Sequence, residues 1–292
     1  MLKAKTPRKP KSAALKRPLL VVDGDSFAHR AYHALPKTIR RREDKGGGAI
    51  VGFANYLIRF YQSEKPRAVL VGWDTLDAPT YRHRAFPAYQ SGRHFDEELL
   101  EQLDLLPQFV AACGFVPAKV AGYEADDFLA AAVARETRRD GTAVVASGDR
   151  DTFQLVSDST TVIFPVRAGE VARIGPAEVR ERYGVNPQQV PDFIALRGDP
   201  SDKLPGAKGV GSSGAALLLR QYGTLERALA AGRFAMQAEQ LRLFQRIATM
   251  DAAAPLPPIR NQTPKWGRAS ELAREWGLDQ LADRLAGLPG DA

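Results

Sequence analysis

The stretch Pro18-Leu-Leu-Val-Val-Asp23 is a short, unbroken apolar run that stops at an aspartate, and it recurs twice. Ala68-Val-Leu-Val-Gly-Trp leads into Asp74, and Thr142-Ala-Val-Val-Ala-Ser-Gly leads into Asp149. Runs without polar alternation mark strands buried on both faces. Helical spacing fills the intervals over 48–63, over 96–113 with Leu99, Leu100, Leu103 and Leu106, and over 124–139 with Phe128, Leu129 and Val133. This alternation predicts an α/β fold, a parallel central sheet covered by helices on both sides. Ligands of such sheets bind beyond the carboxyl ends of the strands. A single aspartate there is ordinarily a turn former or a helix cap. Three at one edge point to a shared site.

From about 175 the chain changes to short helices punctuated by Gly and Pro, ending in amphipathic segments broken at Pro255–Pro258. The expected organisation is a basic tail at 1–17, an α/β core at 18–174 and a helical subdomain at 175–292. The whole has 292 residues, 44% of them hydrophobic, enough to bury a full core. No apolar run reaches the roughly 20 residues of a membrane helix and the N-terminus lacks a secretory signal, so a cytoplasmic protein is expected. Cys113 is the sole cysteine and reads as a small core residue. The net charge of +7 is confined to the tail: Lys3, Lys5, Arg8, Lys9, Lys11, Lys16 and Arg17 account for the excess, and the other 34 cations balance 34 acids. The tail either adds phosphate affinity or is simply solvated; bulk charge on the folded part argues for nothing.

The acids fall in five segments: Val22-Asp23-Gly24-Asp25-Ser26, Trp73-Asp74, Gly122-Tyr123-Glu124-Ala125-Asp126-Asp127, Gly148-Asp149-Arg150-Asp151, and Gly198-Asp199-Pro200-Ser201-Asp202. In the first turn of a helix Glu124, Asp126 and Asp127 can all project off its N-terminal end. So many carboxylates at one edge repel. Mg²⁺ or Mn²⁺ resolves that repulsion with hard oxygen ligands and retained waters, and two such ions suit phosphodiester hydrolysis. The four histidines, His29, His33, His83 and His94, make no zinc spacing.

GYEADD, then GDRD, then GDPSDKLPG, in that order and with LLVVDGDSFAHRAYHALP and VGWDTLDAPTYRH before them, resemble the 5′ nuclease domain of bacterial DNA polymerase I, its stand-alone exonuclease relatives and the flap endonucleases. The resemblance implies a PIN-like core and a structure-specific, metal-dependent 5′ nuclease acting on flapped, nicked or 5′-ended DNA in replication or repair. It implies one metal site at Asp23, Asp74, Glu124 and Asp126 and a second at Asp149, Asp151, Asp199 and Asp202, with Asp127 between them among the catalytic acids. Spacing alone leaves that division open. It also implies a helix-hairpin-helix element at about 191–222 that grips duplex DNA through Lys208, Gly209, Gly211 and Ser212, with K⁺ on its carbonyls. An arch at about 75–98 is implied over the site, with Arg82, Arg84, Arg93 and Tyr89 meeting a single-stranded 5′ end. Lys37, Arg40, Arg41 and Arg42 read equally as a duplex contact or a charged loop.

Three positions depart from the family pattern. Gln90 stands where a lysine is usual, Lys203 where an asparagine is, and Ser213-Gly214 where Lys-Thr is. They bear on rate and DNA grip, not on the metal site. A monomer is expected, with any polymerase acting in trans. Two rival readings stand beside this one. A haloacid-dehalogenase-type phosphatase would use Asp23-Gly-Asp25 and Gly198-Asp199 through Asp202, but leaves Glu124–Asp127, Asp149 and the hairpin unexplained. A catalytically weak DNA-junction binder would bind without cutting.

Overall fold

The computed structural model describes residues 17–92, 94–166 and 170–289. Residues 1–16 of the expected tail at 1–17, and Arg93, lie outside them. Six strands form one sheet: β1 (Leu19–Asp23), β2 (Ala68–Gly72), β3 (Val116–Ala118), β4 (Ala143–Ala146), β5 (Thr160–Pro165) and β6 (Val171–Ile174). Their order is β3-β2-β1-β4-β5-β6, and only β6 runs antiparallel, against β5. The strands β1, β2 and β4 are the three apolar runs of the sequence.

Period-2 geometry sorts each run between two cores. Leu19, Val21, Leu70 and Val145 face one side, where they meet Phe128 and Leu129 of α5 (Ala125–Thr137). Leu20, Val22, Val69, Val71 and Ala146 face the other. There they meet α1 (Gly24–Ala34), α2 (Gly48–Glu64) and α4 (Glu97–Ala112). Cys113 is buried in this second core, as a small apolar residue would be. The short α3 (Tyr81–Ala85) lies in the connection from β2 to α4.

The helices α6 (Pro176–Tyr183), α7 (Val190–Arg197), α8 (Ser212–Tyr222), α9 (Leu225–Ala230) and α10 (Ala238–Ala248) add Val179, Phe193, Leu219 and Phe244 to the α5 side. The helices after 175 do not all pack on that side. α11 (Trp266–Glu275) and α12 (Asp279–Ala286) return to the opposite face, where Trp266, Leu281 and Leu285 pack with α2 and α4. Their apolar stripes find the exposed flank of the second core, and the segment 251–265 carries the chain across.

Register decides where the acids go. Asp23 pairs with Gly72, and Val22 with Ala146, so β1 and its two neighbours end within a residue of one another. β1 also lies where the strand order reverses, the usual crevice of a doubly wound sheet. Gly72 lets α5 come close, because a Cβ there would sit 2.8 Å from the Ala125 carbonyl oxygen. Gly72→Ala is therefore expected to cost about 1–3 kcal/mol of stability by overpacking. Urea denaturation checks this; an unchanged midpoint would show that the contact between α5 and β2 is loose.

Candidate functional site

Beyond the carboxyl ends of β1, β2 and β4 lies a cleft of about 360 Å³ whose lining includes Asp23, Asp25, Asp74, Glu124, Asp126, Asp149, Asp151 and Asp202. Two helix N-termini meet it. Asp23 caps α1 by accepting from the Ser26 N–H at 3.0 Å, and its other oxygen accepts from Ser147 Oγ at 2.6 Å. Asp74 accepts from the Ala125 N–H at the start of α5, at 2.7 Å. Beyond β4, Asp149 accepts from the Asp151 N–H at 2.8 Å and begins a short 3-10 helix. Strand ends thus supply the acids, and the backbone donors of the following turns hold them.

The charges in the cleft oppose one another. Burial pushes the Asp23 carboxyl up to about 7, the Ser147 and Ser26 bonds working against the rise and Asp74 and Asp149 adding to it. Burial likewise holds Asp126 well above the usual carboxylate range, with Asp149, Asp23 and Asp74 as the repelling neighbours. Asp151 is raised by burial and by Asp149, Asp202 and Asp199. Asp25, which sequence reasoning left out of the site, is buried in the cleft wall, accepts the Asp74 N–H at 2.8 Å and is raised by burial and by Asp74. Its place in the first turn of α1, two residues after Asp23, was the available signal.

Not every expected acid joins the cleft. Asp199 is engaged by the Arg197 guanidinium at 2.9 Å and by Ser201, and reaches the cluster only through its charge on Asp151. Asp127 is fully buried and turned away. Its oxygens accept from Arg82 Nη1 at 2.9 Å and Nη2 at 2.8 Å, Tyr81 Oη at 3.0 Å, and the Glu124 and Asp251 N–H groups at 3.1 and 2.9 Å. Five donors fill a carboxylate that offers about four lone-pair sites, so Asp127, expected among the catalytic acids, faces the protein and not the cleft.

The same contacts draw two residues of the expected arch inward. Arg82 is 3% exposed and Tyr89 likewise 3%, so neither presents the open surface expected of the arch. Arg82 also bonds Glu124 Oε2 at 3.0 Å and the Ile247 carbonyl at 2.9 Å, and Tyr89 Oη donates to Glu124 Oε2 at 3.0 Å. Burial opposes the Arg82 charge, but Glu124 and Asp127 outweigh it and hold the guanidinium well above its ordinary value. Arg84 alone of the described arch cations is exposed, with Nη2 on the Pro79 carbonyl. Gln90 donates to Asp202 Oδ1 at 3.0 Å and to Tyr89 Oη at 2.7 Å, tying the segment to the acid loop. Lys203 sits at φ +60°, a left-handed position that suits an asparagine better than a lysine.

The basic loop before α2 is held by local bonds: Arg40 to Glu98, Arg41 to the Gly46 carbonyl, and Arg42 to the Arg274 carbonyl. At the hairpin, Lys208, Gly209, Gly211 and Ser212 are exposed, and a Cβ on Gly209 or Gly211 would meet nothing within 4 Å. The Lys208 N–H is taken by Gln237 Oε1 at 3.1 Å, whereas α8 starts at Ser212 with no side-chain cap.

Residues 18–184 match the family described as "5′-3′ exonuclease, N-terminal resolvase-like domain", and residues 185–265 match its C-terminal SAM fold. The DNA polymerase I of Mycobacterium bovis is 37% identical over 219 residues, 74% of this chain and 24% of the polymerase. The thermostable DNA polymerase I of Thermus thermophilus is 40% identical over 213 residues, 72% of this chain and 25% of the polymerase. The chain thus spans about a quarter of the length of these relatives. The bacteriophage T5 D15 flap endonuclease, solved as a pseudo-enzyme-product complex with DNA and metal ions, shares the fold at a TM-score of 0.66 and 17% identity, covering 92% of this chain and 98% of its own.

The raised carboxylates carry a pH dependence for the metal-free chain. A group raised in the folded state binds protons there before it does when unfolded, so stability falls as pH rises from its ordinary value toward its folded one. For Asp23 that window runs from 3.8 to about 7. Asp126→Asn removes one repelling charge, and in EDTA it is expected to melt above the unmodified chain, by more at about pH 8 than at about pH 5. Equal melting temperatures at both values would mean that the carboxylates do not strain the fold.

Proposed function

Since the chain belongs to the 5′-3′ exonuclease family, we propose that it is a metal-dependent, structure-specific 5′ nuclease that hydrolyses phosphodiesters at 5′ ends or 5′ flaps of DNA. The observation that carries this reading is the single cleft into which three strand ends and two helix N-termini deliver carboxylates. The rival phosphatase would use Asp23, Asp25, Asp199 and Asp202 and leaves Glu124, Asp126 and Asp149, which line the same cleft, without work.

The donor set suits a hard divalent cation, all its acids being oxygen ligands with His29 the only imidazole on the lining. Among the described residues no three such side chains already converge as a coordination shell. That agrees with repelling carboxylates held apart on backbone donors, and Mg²⁺ needs few direct ligands because it keeps its waters. Asp23, Asp74, Glu124 and Asp126 would hold one ion and Asp149, Asp151 and Asp202 another, with Asp199 acting through its charge. Ions there would stabilise charge developing on the phosphate and lower the pKa of the attacking water. The chain's own contribution is placement. Ser147 and the Ser26 N–H fix Asp23, the Ala125 N–H fixes Asp74, and the Gln90 amide holds Asp202 against the segment over the cleft. Phe95 and Met250 supply apolar lining beside the acids.

The uncapped N-terminus of α8 and the open glycines of the turn before it suit the phosphates of a duplex. K⁺ at that turn and a monomeric state belong to the same reading on the resemblance alone. The test compares labelled 5′-flap, nicked, blunt and closed-circular single-stranded DNA with Mg²⁺ and with EDTA. Cleavage confined to substrates with a 5′ end, dependent on Mg²⁺ and abolished in Asp126→Asn or Asp149→Asn with duplex binding retained, is the expected result. Near-normal turnover in both variants would sink the assignment, and binding without cleavage would favour the junction binder.

A further inference from the structure

Three distant parts of the chain meet at one buried ion pair. Arg82 comes from α3, Asp127 from α5, and the carbonyls of Ile247 and Thr249 from the end of α10 and the residue after it. The guanidinium spans both carboxylates, bonding Asp127 through Nη1 and Nη2 and Glu124 through Nη1, while Asp251 N–H and Tyr81 Oη also donate to Asp127 Oδ1. Ile247, Ala248 and Met250 from the same strap form part of the cleft wall. Among the described residues Glu124 Oε1 accepts from Thr80 Oγ1 alone, at 3.0 Å, so it keeps acceptor capacity that Asp127 has lost.

We propose that Arg82 and Asp127 are a positioning pair, a clasp that seats the 247–251 strap against α5 and aims Glu124 at the cleft, and that Asp127 is not a metal ligand. The inference rests on the nuclease reading. Without Asp127 the guanidinium has Glu124 as its remaining carboxylate partner and draws it from the cleft. With lysine at 82 the charge survives but a single ammonium cannot reproduce the fork.

Mn²⁺ binding by the full chain is counted by electron paramagnetic resonance, alongside single-turnover cleavage of a 5′-flap duplex and its affinity for that duplex. Asp127→Asn, Arg82→Lys and their double variant are compared with Asp126→Asn as the ligand control. Asp127→Asn is expected to bind as many Mn²⁺ ions as the unmodified chain, whereas Asp126→Asn loses at least one. Cleavage by Asp127→Asn and by Arg82→Lys is expected to slow by about 10- to 100-fold, as for residues that orient metal ligands. Flap affinity should stay within about 3-fold, and the double variant should be no slower than the worse single one, as for residues acting as a unit. Loss of Mn²⁺ from Asp127→Asn to the extent seen in Asp126→Asn overturns the clasp by making Asp127 a ligand. An unchanged cleavage rate, or strictly multiplicative effects in the double variant, overturns it too. An unmodified chain that cuts no DNA overturns the nuclease reading instead, and the Mn²⁺ counts still decide whether Asp127 ligates.

Discussion

Repulsion among carboxylates at the ends of β1, β2 and β4 is the constraint around which the rest of the molecule is built. Asp126 faces Asp149, Asp23 and Asp74, and Asp151 faces Asp149, Asp202 and Asp199. A like-charged pair even about 8 Å apart costs about 2 kcal/mol at an effective dielectric of about 20. The N-termini of α1 and α5 each give back about 0.3–1 kcal/mol through the helix dipole. Dipoles and N–H donors hold individual side chains in place, but they do not balance a cluster of this size. The fold pays for the arrangement with its two apolar cores, and a cation is the natural counterweight.

Neutralisation is handled differently a few ångströms away. Arg82 and Asp127 are buried at 3% and 0% exposure, and both oxygens of Asp127 are filled by donors. Adjacent residues on one helix therefore have opposite fates: Asp126 looks into the cleft with repelling neighbours, while Asp127 looks into the protein with a full set of partners. The first state invites a ligand, and the second excludes one. Removing one partner of such a buried pair leaves an uncompensated charge, which typically costs about 3–5 kcal/mol.

Much of this was legible in the chain. The three apolar runs, their terminal aspartates and the helices between them follow from uninterrupted burial and helical spacing, and β1, β2, β4, α2, α4 and α5 stand where those patterns lie. β3 carried little signal because it is three residues long and contains Pro117, which an edge strand tolerates. β5 and β6 are an antiparallel pair whose runs are short and, in β6, interrupted by Arg173. The swap between Asp25 and Asp127 is more instructive. Glu124 and Asp127 stand three apart at a helix start, the spacing of a capping box, and Asp127 does reach back to the Glu124 N–H. Arg82 and Tyr89 looked like a surface cation and a stacking ring because sequence spacing says nothing of the strap at 247–251 that holds Arg82, or of Glu124, which both side chains bond. The return of α11 and α12 to the far face was hidden for a similar reason: amphipathic helices declare a face, not the partner that covers it.

The central claim is that the cleft between the ends of β1, β2 and β4 is a divalent-metal site. Anomalous diffraction from crystals of the full chain soaked in Mn²⁺ tests it most directly. The account expects manganese peaks inside the cleft, within bonding distance of oxygens from Asp23, Asp74 or Asp126 on one side and Asp149 or Asp151 on the other, and none at Asp127. A cleft without manganese in crystals whose carboxylates are open to solvent, or a peak ligated by Asp127, would contradict it.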